Sequence, residues 1–405
     1  MSLPEQTRIR LGILPLADAL PLVIALKKGF FEKHHLKVEL SVERAWAAVR
    51  DKVSTGLLDG AQMLAPMPIA AALGIDGVGV PMITAMGLNL NGNAITVSHG
   101  LYERMCSVGI DVRGPAGSAS ALAQLIRVDR AAGRPPLVFA HVFPFSTHHY
   151  ELRMWLASAG IDPDGDVLLR VVPPPRMVEE LESGRIDGFC VGAPWSDVAA
   201  ESGSGVVVAS KHQIWNNSPE KVLAVTRAWA DANPQTLRRL VAALIEAARW
   251  LDVPAHRREA AYLMIGGGWL QAKESALQAA LTMRPDGLLF HRYAATFPWR
   301  SHAVWFILQM LRAGQCKDVG NPMALAEEIY RCDVYREAAA LVGEPCPDAD
   351  VKLEGNQSGT WAMPSTGNVP LELGANLLLD GSIFRSEESL PTFVARRQPS
   401  IHLAE

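Results

Sequence analysis

The stretch Arg8-Ile9-Arg10-Leu11-Gly12-Ile13-Leu14-Pro15 begins an alternation of short β-branched runs with helical ones. Glycines fall where the helical runs should end, since a left-handed residue costs least when it is glycine. Strands separated by helices predict a parallel sheet with helices on its faces. The alternating segments are residues 9–14, 21–28, 37–42, 46–55, 59–64 and 68–73.

A second α/β unit occupies residues 136–210, and the chain after Pro219 reads as mostly helical. We expect an α/β protein with two lobes, a ligand cleft and two crossover strands. Ligands of α/β sheets lie at the carboxyl ends of strands, so the cleft is the expected site. The predicted boundaries are residues 1–95 and 211–330 for lobe 1, 99–206 for lobe 2, and 331–405 for an irregular C-terminal tail packed on lobe 1.

Composition narrows the class of protein. Of 405 residues 49% are hydrophobic, which is ample for sizeable cores. The formal charge is -4, so direct nucleic-acid binding has little electrostatic support. No uninterrupted apolar run reaches the ~20 residues of a membrane-spanning helix, and no membrane association is expected.

The N-terminus bears on the expected compartment. Met1-Ser2-Leu3-Pro4-Glu5-Gln6 leads directly into the first strand and leaves no room for a secretory signal. A binding fold without a signal is expected in the cytoplasm, unless a signal precedes this sequence in the full protein.

The five cysteines are odd in number and widely spaced, unlike a zinc ribbon or a disulfide framework. Cys190 lies in an apolar run and is predicted to be a small, buried hydrophobic residue. Neither a phosphate-binding glycine loop nor a catalytic triad can be argued from spacing, so no enzyme, cofactor or metal site is expected.

Four motifs together carry a family resemblance over about residues 8–310. They are Leu11-Gly12-Ile13-Leu14-Pro15-Leu16-Ala17-Asp18, Lys28-Gly29-Phe30-Phe31-Glu32-Lys33, Asp59-Gly60-Ala61-Gln62-Met63-Leu64-Ala65-Pro66-Met67-Pro68 and Gly188-Phe189-Cys190-Val191-Gly192-Ala193-Pro194-Trp195. The combination resembles the NrtA/CmpA family of nitrate- and bicarbonate-binding proteins. The resemblance implies the type II periplasmic-binding-protein fold. It also implies a nitrate pocket formed by Trp46, Asn93, His148, Gly192 and Lys221.

The residue types suit a planar monoanion, which needs donors around a plane. Trp46 supplies an indole N–H and a flat wall, although alone it would read as core filler. His148 is predicted at a helix start, where free N–H groups favour an anion, although it could equally be a surface or capping histidine. The amide match is the weakest, because importer relatives carry glutamine at the position of Asn93, and Asn91 is a second candidate.

Lys221 and Gly192 complete the expected pocket. Ser218 and Pro219 predict a helix start that places Lys221 in its first turn, and a solvated lysine is the plainer reading. In the bicarbonate branch of the family an acidic, metal-binding side chain stands at this position, so a lysine favours nitrate or nitrite. Gly192 would let backbone approach a ligand, although it could be an ordinary turn before Pro194.

The resemblance is strongest to the cytoplasmic nitrate/nitrite sensor branch typified by NasS. It implies a partner, a NasT-like ANTAR antiterminator protein that binds RNA, released when the anion closes the lobes. The alternative is the substrate-binding subunit of a nitrate ABC importer. A third hypothesis is an enzyme of pyrimidine biosynthesis with a related fold. It has little support, because enzymes of that branch are cysteine-rich, whereas the cysteines of this chain are scattered.

Overall fold

The computed structural model describes residues 3–387. Its strands are β1 (Arg8–Ile13), β2 (Lys37–Val42), β3 (Gly60–Leu64), β4 (Met82–Gly87), β5 (Asn93–Ser98), β6 (Val138–His141), β7 (Leu168–Val171), β8 (Gly188–Gly192), β9 (Gly205–Ser210), β10 (Lys221–Thr226), β11 (Trp361–Met363) and β12 (Leu371–Leu373).

The α-helices alternate with these strands and then dominate the second half of the described chain. They are α1 (Leu20–Lys27), α2 (Phe30–Lys33), α3 (Trp46–Ser54), α4 (Met67–Ala72), α5 (His99–Cys106), α6 (Gly114–Ala131), α7 (Thr147–Ala157), α8 (Met177–Glu182), α9 (Trp195–Glu201), α10 (Lys211–Ile214), α11 (Arg227–Ala232), α12 (Pro234–Leu251), α13 (Arg257–Gly266), α14 (Glu274–Ala280), α15 (Arg300–Arg312), α16 (Pro322–Ile329) and α17 (Cys332–Leu341).

Two five-stranded mixed sheets organise the molecule. The first has the order β2-β1-β3-β10-β4 and the second β7-β6-β8-β5-β9. In each sheet one strand arrives from the other half of the chain, and it runs antiparallel to both neighbours: β10 in the first and β5 in the second. The remaining neighbours pair in parallel.

Two connections join the sheets. Residues 88–92 lead from β4 into β5, and residues 211–220 lead from β9 back into β10. Two equivalent sheets joined by two crossings form the expected α/β, type II periplasmic-binding-protein fold. The lobe boundaries predicted from sequence stay a prediction.

The core of the first half is covered by an amphipathic helix. On α12 one face is fully buried, including Leu240, Leu244 and Ala248, and the helix packs on α1 and α17. An apolar stripe at helical spacing drives this docking. None of the helices within residues 3–387 has the length and apolar character that a bilayer crossing requires.

The segment after residue 315 is more regular than its composition indicates. It contains α16 and α17, the latter packed on α12 and β4, and the antiparallel hairpin β11–β12. Asn321 caps α16 and Pro322 is its first residue, so the polar composition marks helix starts rather than a loop. Residues 388–405 of the expected tail lie outside the described part of the chain.

Candidate functional site

The five residues expected from sequence lie together between the two sheets. Trp46 begins α3 and Lys221 begins β10 in the first half, whereas Asn93 begins β5, His148 lies in the first turn of α7, and Gly192 ends β8. All five are buried. Glu220, next to Lys221, contacts several of them and forms the centre of the cluster.

Trp46 presents an unused donor. Ala45 before it has extended backbone, so α3 begins at the tryptophan itself and its side chain turns inward. The indole is 1% exposed, and Nε1 has no hydrogen-bond partner among the described residues. Lys221 Nζ lies 5.4 Å from the ring centroid, within cation–π range. A buried donor without a partner costs about 1–3 kcal/mol, which is typical of a site rather than a core.

Asn93 and Gly192 face each other across the β5–β8 ladder. Asn93 Nδ2 donates to Glu220 Oε2 at 2.7 Å and to Glu151 Oε2 at 3.1 Å, which leaves Oδ1 without a partner among the described residues. The amide hydrogens are therefore held by carboxylates. A Cβ on Gly192 would lie 3.3 Å from Asp18 Oδ2 and 3.5 Å from Asn93 Oδ1, so glycine keeps this wall open.

Of the two asparagines considered from sequence, only Asn93 points into the cluster. Asn91 Nδ2 donates to Asn217 Oδ1 and to the carbonyl of Gly287. These bonds tie residues 88–92 to the second connection and to a loop. Asn91 is thus a residue of the crossover.

His148 follows the predicted helix start. Ser146 caps α7, its Oγ accepting from His149 N at 3.0 Å. The His148 ring is fully buried, and Nδ1 lies 3.5 Å from Glu220 Oε1 without hydrogen-bond alignment. Both ring nitrogens lack a partner among the described residues. Burial lowers the pKa of His148 well below its ordinary value, so the ring is neutral.

Lys221 is the first residue of a strand, and the expected helix start at Pro219 is wrong. Residues 222–226 are mostly β-branched or apolar, and they pair with both β3 and β4, which outweighs the local helix signal. Lys221 Nζ lies 2.8 Å from Asp18 Oδ2 and 2.6 Å from Glu220 Oε1. Burial opposes its charge, yet the two carboxylates raise the pKa of Lys221 and keep it protonated.

Sequence reasoning missed a set of buried charges. Asp18 accepts from Gln62, Glu151 accepts from Lys211, and Glu220 accepts from Thr147 and Lys211. The ion pairs form one chain in the order Asp18, Lys221, Glu220, Lys211 and Glu151. Asp18 and Gln62 stand inside the quoted motifs, and Glu151 lies one turn after Thr147, so position relative to the motifs was the available signal.

The chain of charges has carboxylates at both ends. Burial raises the pKa values of Asp18 and Glu151. At Glu220 the neighbouring lysines outweigh burial and hold the pKa well below its ordinary value. With three carboxyls and two ammonium groups, the fully ionised cluster has one negative charge in excess.

The same cluster offers donors to a small acceptor-rich molecule. An ammonium group has three hydrogens, and Lys221 uses two of them on carboxylates. The third, the indole N–H of Trp46 and the ring of His148 stand ready for oxygen acceptors. Within residues 3–387 no group of three or more His, Cys, Asp or Glu residues is arranged to hold a metal ion.

Comparison with known proteins identifies the family. A model of the NMT1-like family matches residues 2–265. The nitrate import ATP-binding protein NrtC of Synechocystis sp. is 38% identical over 85% of this chain and 52% of its own length. The bicarbonate-binding protein CmpA of Synechococcus elongatus is 31% identical over 85% of this chain and 80% of its own.

The crystal structure of the periplasmic nitrate-binding protein NrtA of Synechocystis PCC 6803 superposes with a TM-score of 0.84 at 26% identity, covering 98% of this chain and 99% of that one. The chain spans about half the length of the ATP-binding relatives and most of the length of the binding proteins. It therefore belongs to the NMT1-like family and is related to the nitrate-binding protein NrtA and the bicarbonate-binding protein CmpA.

Proposed function

We propose that the protein binds nitrate or nitrite in the buried cluster, through Trp46, Asn93, His148, Gly192 and Lys221. The observation that carries this proposal is the set of buried donors without partners, the indole N–H of Trp46 and the ring of His148, beside the Lys221 ammonium group. A planar monoanion has acceptors on each oxygen and fits between the indole wall and the donors. Asn93 then serves mainly as a wall, because its amide hydrogens are held by Glu220 and Glu151.

Isothermal titration with nitrate, nitrite and bicarbonate in a low-anion buffer tests this proposal. We expect saturable nitrate or nitrite binding without any requirement for calcium. The double variant Trp46→Ala and Lys221→Ala should abolish binding while the far-ultraviolet circular dichroism stays unchanged. Retained affinity in the folded double variant would refute the pocket.

The role of the bound anion is proposed to be regulatory, in a cytoplasmic sensor like NasS. The relatives support the connection with nitrate: a nitrate import ATP-binding protein is 38% identical to this chain over 52% of its own length. In this proposal the protein reports the ligand rather than delivers it. The partner would be a NasT-like ANTAR antiterminator, held by the open form and released on closure.

The energetics of such release are modest. A ligand shifts a conformational equilibrium only by its differential affinity for the two forms. Micromolar binding supplies about 8 kcal/mol, and ~2–3 kcal/mol of coupling changes partner affinity by roughly 30- to 150-fold.

Size-exclusion chromatography of the protein with a purified ANTAR antiterminator tests the regulatory role. We expect a complex in chloride buffer that dissociates on adding nitrate, and a Lys221→Met complex that ignores nitrate. A complex that never forms, or that is equally stable with and without nitrate, would contradict the sensor proposal and leave anion binding untouched.

The substrate-binding subunit of a nitrate ABC importer is the second candidate. The observation that favours it is the superposition with periplasmic NrtA over nearly the whole of both chains. Fractionation of the natural full-length protein separates the two roles. Recovery with the soluble cytoplasmic fraction supports the sensor, whereas recovery outside the inner membrane supports the importer subunit.

A further inference from the structure

We propose that the site takes up one proton together with each bound monoanion, and that His148 is the residue that accepts this proton. This inference rests on the proposed anion-binding function. It assigns His148 a change of charge during binding.

The charge count provides the first step. Asp18, Glu151 and Glu220 oppose Lys211 and Lys221, and all five side chains are at most 5% exposed. An anion placed among them adds a further negative charge where water is excluded. Leaving a buried charge uncompensated costs several kcal/mol in proteins. A proton from the solvent that enters with the anion removes this cost.

The hydrogen bonds decide where that proton goes. Asp18 is already bound by Lys221 and Gln62, and Glu151 by Lys211 and Asn93, so a proton on either carboxyl would weaken an existing ion pair. Protonation of His148 breaks no existing hydrogen bond, because neither ring nitrogen has a partner among the described residues. Once charged, the ring has two N–H donors, one towards Glu220 Oε1 at 3.5 Å and one for the anion.

The groups that face His148 come from several elements. Desolvation by burial is the largest influence and disfavours the charged ring. Among the charged neighbours Glu220 favours the charged form, whereas Lys221, Lys211 and His141 oppose it, so the free site keeps His148 neutral. An anion beside the ring reverses this balance by adding a second negative neighbour.

The first experiment is isothermal titration of the full-length protein with nitrate at pH 7.5 in buffers of different ionisation enthalpy. The slope of observed enthalpy against buffer enthalpy gives the number of protons taken up, and we expect about one. Between pH 6.5 and 8 the affinity should weaken by up to about tenfold per pH unit. His148→Gln should bind more weakly with a proton count near zero. His99→Gln, an exposed histidine, should match the wild type.

Ring nitrogen NMR of ¹⁵N-histidine-labelled wild-type protein provides a second test, which applies even if His148→Gln does not bind nitrate. We expect one ring, assigned by its loss in His148→Gln, to change from the neutral to the charged pattern on adding nitrate. Saturable binding with a proton count near zero would overturn the proposal, as would proton uptake with an unchanged His148 ring. Absence of binding to nitrate, nitrite and bicarbonate would refute the anion-binding function itself, and this inference with it.

Discussion

At the scale of single residues, the cluster is distinguished by buried polar groups that lack hydrogen-bond partners among the described residues. The indole of Trp46 and both nitrogens of His148 are buried without partners among the described residues, although most buried polar groups in proteins are paired. The family resemblance, carried by the quoted motifs, located these side chains from sequence. The ion-pair chain through Glu220 escaped prediction because a buried carboxylate is recognisable only when its lysine partners are known in space.

Trp46→Phe isolates the indole donor, because phenylalanine keeps a flat apolar wall and loses the N–H. Since a hydrogen bond to a charged acceptor is worth about 1.5–3 kcal/mol, we expect nitrate affinity to fall by roughly 10- to 150-fold. The free energy of unfolding should change less, because the donor has no partner to lose. Titration calorimetry and urea unfolding measure the two effects. Trp250→Phe, whose ring stacks on His256, is the control and should keep wild-type affinity.

Gly192→Ala tests the open wall of the site. The new Cβ would lie 3.3 Å from Asp18 Oδ2, so the carboxylate that holds Lys221 must move by a few tenths of an ångström. We expect nitrate affinity to fall several-fold in titration calorimetry. Gly100→Ala on α5 has open space around the new methyl group and should leave affinity unchanged. Equal nitrate affinities for both variants would mean that the absence of a side chain at Gly192 is not needed for anion binding.

At the scale of elements, strands and helices with clear periodicity were predicted closely. β2 has the expected ends, and β1 and α3 differ from the expected segments by one residue at one or both ends. β4 and the 18-residue α6 were not predicted; the first turns of α6 consist of Gly, Pro, Ala and Ser, which imitate a loop. The start of β10 was read as a helix because Ser218 and Pro219 imitate a cap, whereas pairing with two strands determines the outcome.

Ser146→Ala removes the cap of the helix that carries Thr147 and His148. An N-cap of this kind is worth about 1 kcal/mol, so the free energy of unfolding should fall by that amount in urea titrations. Nitrate affinity should also fall several-fold, since the first turn of α7 loosens. Thr226→Ala removes the cap of α11 away from the cluster and should cost similar stability without loss of affinity. If the Ser146→Ala protein binds nitrate as tightly as Thr226→Ala does, the start of α7 does not contribute to anion binding.

At the scale of the whole molecule, the site exists only because two connections bring the sheets together. Lys221 belongs to a strand of the first sheet, and Trp46 to α3, which packs against β3 and β10 of that sheet. Asn93 and Gly192 belong to strands of the second sheet, and Glu220 is bonded to groups on both sides. The alternating pattern predicted the fold and the cleft. The order of charges across the cleft follows from how residues distant in sequence meet in space, which no local pattern contains.

The same burial predicts how stability depends on pH. His141 and His302 have pKa values lowered by burial from 6.5 to about 4, so the unfolded chain binds more protons than the folded one between these values. The contribution of these histidines to the free energy of unfolding is therefore fully present above pH 6.5. It decreases as pH falls towards 4, by about 3 kcal/mol for each histidine at the lower limit. Asp18 and Glu151, whose pKa values are raised, act in the opposite direction at acidic pH.

A variant isolates the histidine contribution from that of the carboxyls. His302 lies 3.0 Å from Glu354 Oε1, and His302→Gln keeps a donor there without a titratable ring. Urea unfolding of both proteins at pH 7.5, 6.0 and 5.0 should show the wild type losing about 2 kcal/mol more than the variant between the first and last pH. Parallel losses in the two proteins would mean that His302 titrates normally in the fold. Below pH 6.5 the ionised Glu354 would then hold a charged ring, and the C-terminal segment around residue 354 would be fastened there by an ion pair instead of by a hydrogen bond from a neutral ring.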